Sequence, residues 1–279
     1  MREMSLREIQ LFSLEILKDV HSFCVNNGIR YSLFGGTLIG AIRHKGFIPW
    51  DDDLDISMPR PDYERFCRTY KSERFRLFSP EDKDSLITYA RVCDMDLTLR
   101  ESSFTPWASA PTGIWIDIFP MDGASDDFSK FKRDLSVVSA FYKLATNSRS
   151  SHETFNNSMS LTYKCRLFLC KFFFIPKLSA YNRSMTRLFK GIVLRRIKRY
   201  KFGETGHWTQ LSCPIYKQKE WHVMLGFDEY VPEQFEGGEF LVFKGYHKYL
   251  TDIYGDYMTP PPVDKRTQGH AQFACFWRE

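Results

Sequence analysis

Asp53 and Asp55 stand one residue apart in the run Asp51-Asp-Asp-Leu-Asp-Ile56, interleaved with the apolar Leu54 and Ile56. In an extended strand that alternation sends the two aspartates to one face and the two apolar side chains to the other. Carboxylates so placed repel each other by roughly 4 kcal/mol at about 4 Å in an effective dielectric of about 20, so they need a proton or a cation. A divalent ion is the simplest answer, and an oxygen-only donor set favours Mg²⁺ or Mn²⁺ over zinc. An EF-hand loop would also use Asp51, Asp53 and Asp55. The run does not fit one, because Ile56 takes the sixth position that must be glycine and Pro59 the ninth.

The segment Gly113-Ile-Trp-Ile-Asp-Ile-Phe119 alternates in the same way, with Ile114, Ile116 and Ile118 on one face and Asp117 on the other between Trp115 and Phe119. If this strand neighbours the first, Asp117 is a third carboxylate of the same cation site; otherwise a local backbone hydrogen bond satisfies it. Gly35-Gly36-Thr37 offers the complement. A glycine corner that opens a helix presents backbone N–H groups, a hydroxyl and the helix dipole to a phosphate. Glycine pairs often mark only a tight turn, so the weight of this one comes from the acidic run that follows and from Arg43, His44 and Lys45 in between. The combination points to phosphoryl chemistry.

These groups need elements to hold them. Ile9, Phe12, Ile16, Val20 and Phe23 recur at helical spacing over residues 6–25, opened by a Ser5/Glu8 capping box and stopped at Asn27-Gly28. A short strand at 31–34, the glycine turn, a helix at 37–44 and the acidic strand at 53–56 follow, with Pro59 and Pro61 ending that strand before a helix at 62–70. Strands are expected at 75–78, 86–92, 97–100 and 113–119. Residues 125–146 and 159–201 read as helical, and the tail from Gly203 mixes short strands with a helix at 246–254. This is an α/β (α+β) chain, a mixed sheet with helices arranged around it.

The 279 residues, 43% hydrophobic and 26% charged, suffice for one large core and exclude long disorder. Seven Cys without a Cys-x-x-Cys pair fit reduced thiols, and no His-Glu-x-x-His spacing offers zinc hydrolase chemistry. Charges near the N-terminus interrupt any secretory signal, and the longest apolar run, 167–176, is too short to span a bilayer. A cytoplasmic protein is expected. The net charge of +5 is unevenly spread: residues 154–203 hold twelve Lys and Arg and no acid, which leaves the rest of the chain net negative. Interleaved with Leu, Phe and Ile, the stretch reads either as helices lying on an anionic membrane surface, peripheral on the inner face of the plasma membrane, or as a solvated helical face. No nucleic-acid motif accompanies it.

The run Phe34-Gly-Gly-Thr-Leu-Ile-Gly-Ala-Ile-Arg-His-Lys-Gly-Phe-Ile-Pro-Trp-Asp-Asp-Asp-Leu-Asp-Ile56 closely resembles the hallmark of the LicD family, which includes the fukutin-related proteins. Trp115-Ile-Asp-Ile-Phe-Pro-Met-Asp122 and the tail Tyr249-Leu-Thr-Asp-Ile-Tyr-Gly-Asp-Tyr-Met-Thr-Pro-Pro-Pro262, with Lys265, Arg266 and His270, extend the resemblance to both ends of the chain. It implies a nucleotidyltransferase-like mixed sheet flanked by helices. In that arrangement 1–124 is the core with the metal site, 125–202 a helical basic insertion and 203–279 a region that completes the catalytic domain.

The resemblance further implies transfer of phosphocholine or a related alcohol phosphate from CDP-choline or another CDP-alcohol to a hydroxyl of a glycan such as lipopolysaccharide, capsule or teichoic acid, its acceptor lipid-linked. Asp53, Asp55 and Asp117 fall on the metal positions, for Mg²⁺ or Mn²⁺, and Gly35, Gly36 and Thr37 on the phosphate cradle. Arg43, Lys45 and Arg266 are candidates to steady the departing charge or to pair with the acids. Asp51 and Asp52 read as loop-positioning residues, Asp117 as a candidate base, and Trp50 as a stacking or a packing side chain. Two rivals remain: an Asp-x-Asp nucleotide-sugar glycosyltransferase, which has no need of the glycine corner, and a non-catalytic membrane-surface scaffold, for which the intact acids have no use.

Overall fold

The computed structural model describes residues 1–82, 85, 87–100, 112–150, 179–266 and 274–278. After a short β1 (Arg2–Glu3), helix α1 (Leu6–Asn26) begins at the expected capping box: the Glu8 N–H donates to Ser5 Oγ and the Glu8 carboxylate accepts from the Ser5 N–H at 2.9 Å. Its apolar stripe of Ile9, Phe12, Ile16, Leu17 and Val20 is buried against the central sheet.

That sheet is built from β2 (Ser32–Leu33), β3 (Asp55–Pro59), β4 (Phe75–Phe78), β5 (Ala90–Asp94) and β7 (Trp115–Ala124), in the order β2-β3-β7-β5-β4. Only β3 and β7 run parallel, and their register sets Asp55 beside Asp117. Helix α2 (Gly35–His44) follows β2 and helix α3 (Arg60–Thr69) follows β3. A separate sheet joins β6 (Thr98–Arg100) and β1 through the C-terminal β12 (Cys275–Trp277), so the chain ends beside its start. Beyond helices α4 (Phe128–Ser150) and α5 (Ser179–Ile197), β8 (His207–Thr209) extends the far end of β7 and pairs with β9 (His222–Val223). The hairpin β10 (Tyr230–Phe235) and β11 (Gly238–Phe243) packs on α2 and β2, and helix α6 (Tyr246–Tyr254) follows. The α/β class and mixed sheet are those expected.

Of the boundaries that differ from expectation, two bear on the site. The strand begins at Asp55, not Asp53, because pairing with β7 starts there; Asp53 lies in the connection before it. Helix α2 begins at Gly35, so the glycine pair forms the first turn itself and Thr37 is already inside the helix.

At the other end of the β3/β7 pair, Arg60 clamps Asp122 through two parallel hydrogen bonds, Nε to Oδ1 and Nη2 to Oδ2, each 2.6 Å, with both side chains buried. Removing one partner leaves the other charge stranded in a low dielectric. Asp122→Asn is therefore expected to lower the unfolding free energy by about 3 kcal/mol in a urea titration, while Arg60→Met with Asp122→Leu together loses less than either single change.

The basic stretch has its counter-charges elsewhere in the chain. Lys198 pairs with Glu64 at 2.8 Å and Glu81 at 3.6 Å, while Arg196 and Arg199 converge on Asp134 at 2.6 and 3.1 Å. The buried Lys190 ammonium donates to the carbonyls of Pro80 and Ser85 at 2.7 and 2.6 Å. In its described part the stretch thus ties α5 to α3, α4 and the loop after β4, which neither sequence reading foresaw. Residues 154–178 lie outside the described residues, and no described helix is long and apolar enough to cross a membrane.

Candidate active site

The carboxylates meet where β3, β7 and the first turn of α2 converge. The Asp55 N–H donates to Thr37 Oγ1 at 2.9 Å, the Phe34 N–H to the Asp55 carbonyl at 3.0 Å, and the Asp117 N–H to the Leu54 carbonyl at 3.0 Å. The Thr37 hydroxyl, expected to face a phosphate, thus serves first to seat Asp55 against α2. The preceding loop is held by Gln10 of α1, whose Nε2 donates to the Asp51 carbonyl at 2.8 Å. Asp52 is buried with its carboxylate 3.9 Å from Arg100 Nη2, a position that fixes the loop.

The glycines allow the acids to approach. Gly35 has φ +54°, and a Cβ there would lie 3.2 Å from Asp55 Oδ2; a Cβ on Gly36 would lie 2.8 Å from Asp51 Oδ2. Phe34 at the cap supplies no side-chain acceptor, so most orphan N–H groups of the first turn are left to other partners. The Gly35 N–H faces the hydroxyl of the buried Tyr249 from α6 closely enough to lower its pKa slightly against the much larger upward push of burial.

Burial, then the neighbouring Asp53, Asp117 and Asp51, push the Asp55 carboxyl well above its ordinary range. Asp51 is pushed up to about 8, again by burial first and Asp53 next. The group therefore resists holding all its charges at neutral pH without a cation. One cation is built in. Arg91 on β5 lies directly across from Asp117, and its Nε donates to Asp117 Oδ1 at 2.6 Å. The guanidinium also reaches Tyr89 Oη at 3.0 Å and lies over the Trp115 ring, 4.4 Å from its centroid.

Among the described residues no three His, Cys, Asp or Glu side chains already stand as a ligand set. The donors nevertheless fit a hard divalent ion: they are all oxygen, largely buried, mutually repelling and bordered by a cradle that a glycine Cβ would fill. Asp53, Asp55 and Asp117 would hold it, with Asp117 Oδ1 shared with Arg91.

Other candidates lie elsewhere. Arg43 and Lys45 sit at the C-terminal end of α2, about 13 Å along the helix from the glycines. Arg43 Nη1 donates to the Tyr257 carbonyl at 2.5 Å, and Lys45 Nζ pairs with Glu233 of β10 at 2.9 Å, so both anchor the C-terminal region to α2. A ten-residue helix separates what a linear reading places side by side. The Arg266 guanidinium lies 4.8 Å from the centroid of Trp50, which packs against the core, so each occupies the other. His270 lies outside the described residues.

Arg91 and the tyrosines of the C-terminal region were not read from the sequence. Arg91 left a signal: a charge at an alternating position of the apolar strand Ala90–Asp94. Tyr216, Tyr249 and Tyr254 left none beyond their place in the tail.

The chain is similar to a known protein along nearly its whole length. The family description "LicD/FKTN/FKRP, nucleotidyltransferase domain" matches residues 28–160. The lipopolysaccharide cholinephosphotransferase LicD of Haemophilus influenzae is 30% identical over 286 aligned positions, covering 98% of this chain and 99% of that one. Uncharacterized proteins of Rickettsia typhi and Rickettsia prowazekii are 46% and 48% identical over 66 and 48 residues, about a fifth of each chain. A relative aligned from end to end at that identity, with a family match that spans both acidic strands and the glycine corner, makes this chain a member of the LicD family of transferases.

Proposed function

We propose that the chain transfers phosphocholine, or a related alcohol phosphate, from a CDP-activated donor to a hydroxyl of a lipopolysaccharide-type glycan, with Mg²⁺ or Mn²⁺ at Asp53, Asp55 and Asp117. The observation that carries this reading is the parallel register of Asp55 and Asp117 beside the glycine-opened first turn of α2. The full-length likeness to a cholinephosphotransferase supports the transferred group and the acceptor class. When bound, the cation neutralises the donor pyrophosphate and offsets the charge that develops on the leaving CMP.

The chain's own residues do the rest. The N–H groups of Gly36 and Thr37 and the dipole of α2 attract phosphate oxygens. Thr37 and Gln10 fix the acidic loop and strand, so the carboxylates are oriented before substrate arrives. Asp117, half committed to Arg91, retains Oδ2 to take the proton of the attacking hydroxyl.

The test is CMP release by the purified protein with Mg²⁺ and a panel of CDP-choline, CDP-ethanolamine, CDP-glycerol and CDP-ribitol, followed by mass analysis of the glycan. Addition of a phosphoalcohol that chelator abolishes is the expected result. No CMP from any donor, or a hexose added from a nucleotide sugar, overturns the proposal.

Arg91 supplies a separate check. Arg91→Met keeps the side chain's bulk and removes the charge that offsets Asp117. The metal-free variant is expected to lose about 1–3 kcal/mol of stability, and saturating Mg²⁺ to recover more of its melting temperature than in the parent, because the ion takes over the missing compensation.

A further inference from the structure

Two tyrosines from separate parts of the C-terminal region meet over the glycine corner. Tyr254 closes α6, and Tyr216 precedes the 3-10 turn Lys217–Glu220. Their hydroxyls are 3.0 Å apart and their rings meet edge to face with centroids 5.3 Å apart. Lys219 of the same turn donates to the Ile253 carbonyl at 2.7 Å, which locks the end of α6 to that turn. The arrangement is built; neither tyrosine is a loose surface ring.

Its direction is set by Gly35. The point where a Cβ on Gly35 would lie is 3.6 Å from Tyr254 Oη and 3.2 Å from Asp55 Oδ2. The hydroxyl and the carboxylate thus address the same small volume above the first turn of α2. A phosphate drawn there finds backbone N–H groups below and acids at one side, and Tyr254 at the other. A hydroxyl that accepts from one neighbour still has its own proton to give. Both rings are half-buried, and burial is the first cause that raises both hydroxyls above the ordinary tyrosine range, so at neutral pH each keeps the proton it would donate.

Resting on the transferase reading above, we propose that Tyr254 is a catalytic residue whose hydroxyl donates a hydrogen bond to a non-bridging oxygen of the transferred phosphate, and that Tyr216 is the positioning residue that aims it. A donor fixed at the spot where charge accumulates contributes most in the transition state. Tyr216 acts only through Tyr254, so the two do not contribute independently.

The experiment compares Tyr254→Phe, Tyr216→Phe and the double variant with the parent, measuring kcat, KM for the CDP-alcohol, CMP affinity by calorimetry and melting temperature. Tyr254→Phe is expected to lower kcat about 100-fold with CMP affinity within twofold, because CMP leaves without the phosphate that the hydroxyl holds. Tyr216→Phe falls between, the double variant matches Tyr254→Phe, and the melting temperature of Tyr254→Phe stays within a few degrees of the parent. A Tyr254→Phe enzyme with kcat within threefold of the parent overturns the proposal. So does a loss of CMP affinity as large as the loss of rate, which would put the hydroxyl on the nucleotide. A parent enzyme that releases no CMP from any donor instead overturns the transferase reading and this one with it, so the two failures are told apart by the parent alone.

Discussion

Asp55→Asn is expected to abolish transfer and, in the absence of metal, to make the protein more stable. Both effects have one cause. Asp55 lies against Asp53, Asp117 and Asp51, and its carboxyl is held well above the ordinary range by burial and then by those neighbours. Asparagine keeps the shape and the backbone bond to Thr37 while removing one charge. A missing anionic ligand costs several kcal/mol of transition-state stabilisation, or at least about 1,000-fold in rate.

The stability effect follows from proton linkage. A carboxyl whose folded pKa is raised binds its proton more tightly in the folded chain, so that contribution is present at low pH and is lost as pH rises. For the metal-free parent the loss begins near pH 4, the ordinary carboxylate range, and continues to pH 8, since Asp51 is pushed up to about 8. Urea midpoints measured in chelator from pH 4 to pH 8 should fall steadily for the parent and less for Asp55→Asn, and added Mg²⁺ should flatten the parent's profile alone. A variant that is active, or one less stable than the parent at pH 8 without metal, would remove Asp55 from the centre of the site.

What could be read from the sequence was what is local. The Ser5/Glu8 box located α1, and alternation in 113–119 singled out Asp117 as a polar residue on an apolar strand. The pairing that gives Asp117 its meaning lies 62 positions from Asp55 in the chain and is fixed by packing around β3 and β7, which no short pattern records. Distance along the chain misled in the opposite direction for Arg43 and Lys45: near the acids in sequence, they are carried away by the rise of α2. The acid-free stretch looked like a surface because its counter-ions, Glu64, Glu81 and Asp134, lie in earlier elements. The tyrosine pair was out of reach for the same reason, since Tyr216 and Tyr254 are brought together only when α6 docks against the 3-10 turn.

Gly35→Ala separates the demands of folding from those of catalysis. Gly35 is in the left-handed region at φ +54°, where an L-residue costs roughly 1–2 kcal/mol. A stability loss of that size leaves a typical domain folded. The new methyl, however, would stand 3.2 Å from Asp55 Oδ2, tight enough to press on that carboxylate, and 3.6 Å from Tyr254 Oη, in ordinary contact, so it occupies the volume both groups face and leaves no room there for a phosphate oxygen. Transfer is expected to fall more than about 100-fold, a loss of about 3 kcal/mol at the transition state. Urea unfolding and CMP release on one preparation check the pair of numbers. Gly36→Ala gives the contrast: its backbone is unstrained, but its methyl would meet Asp51 Oδ2 at 2.8 Å, so its damage comes through the acidic loop. An active Gly35→Ala enzyme would mean that no substrate atom approaches the corner, and that the glycine serves only the turn from β2 into α2.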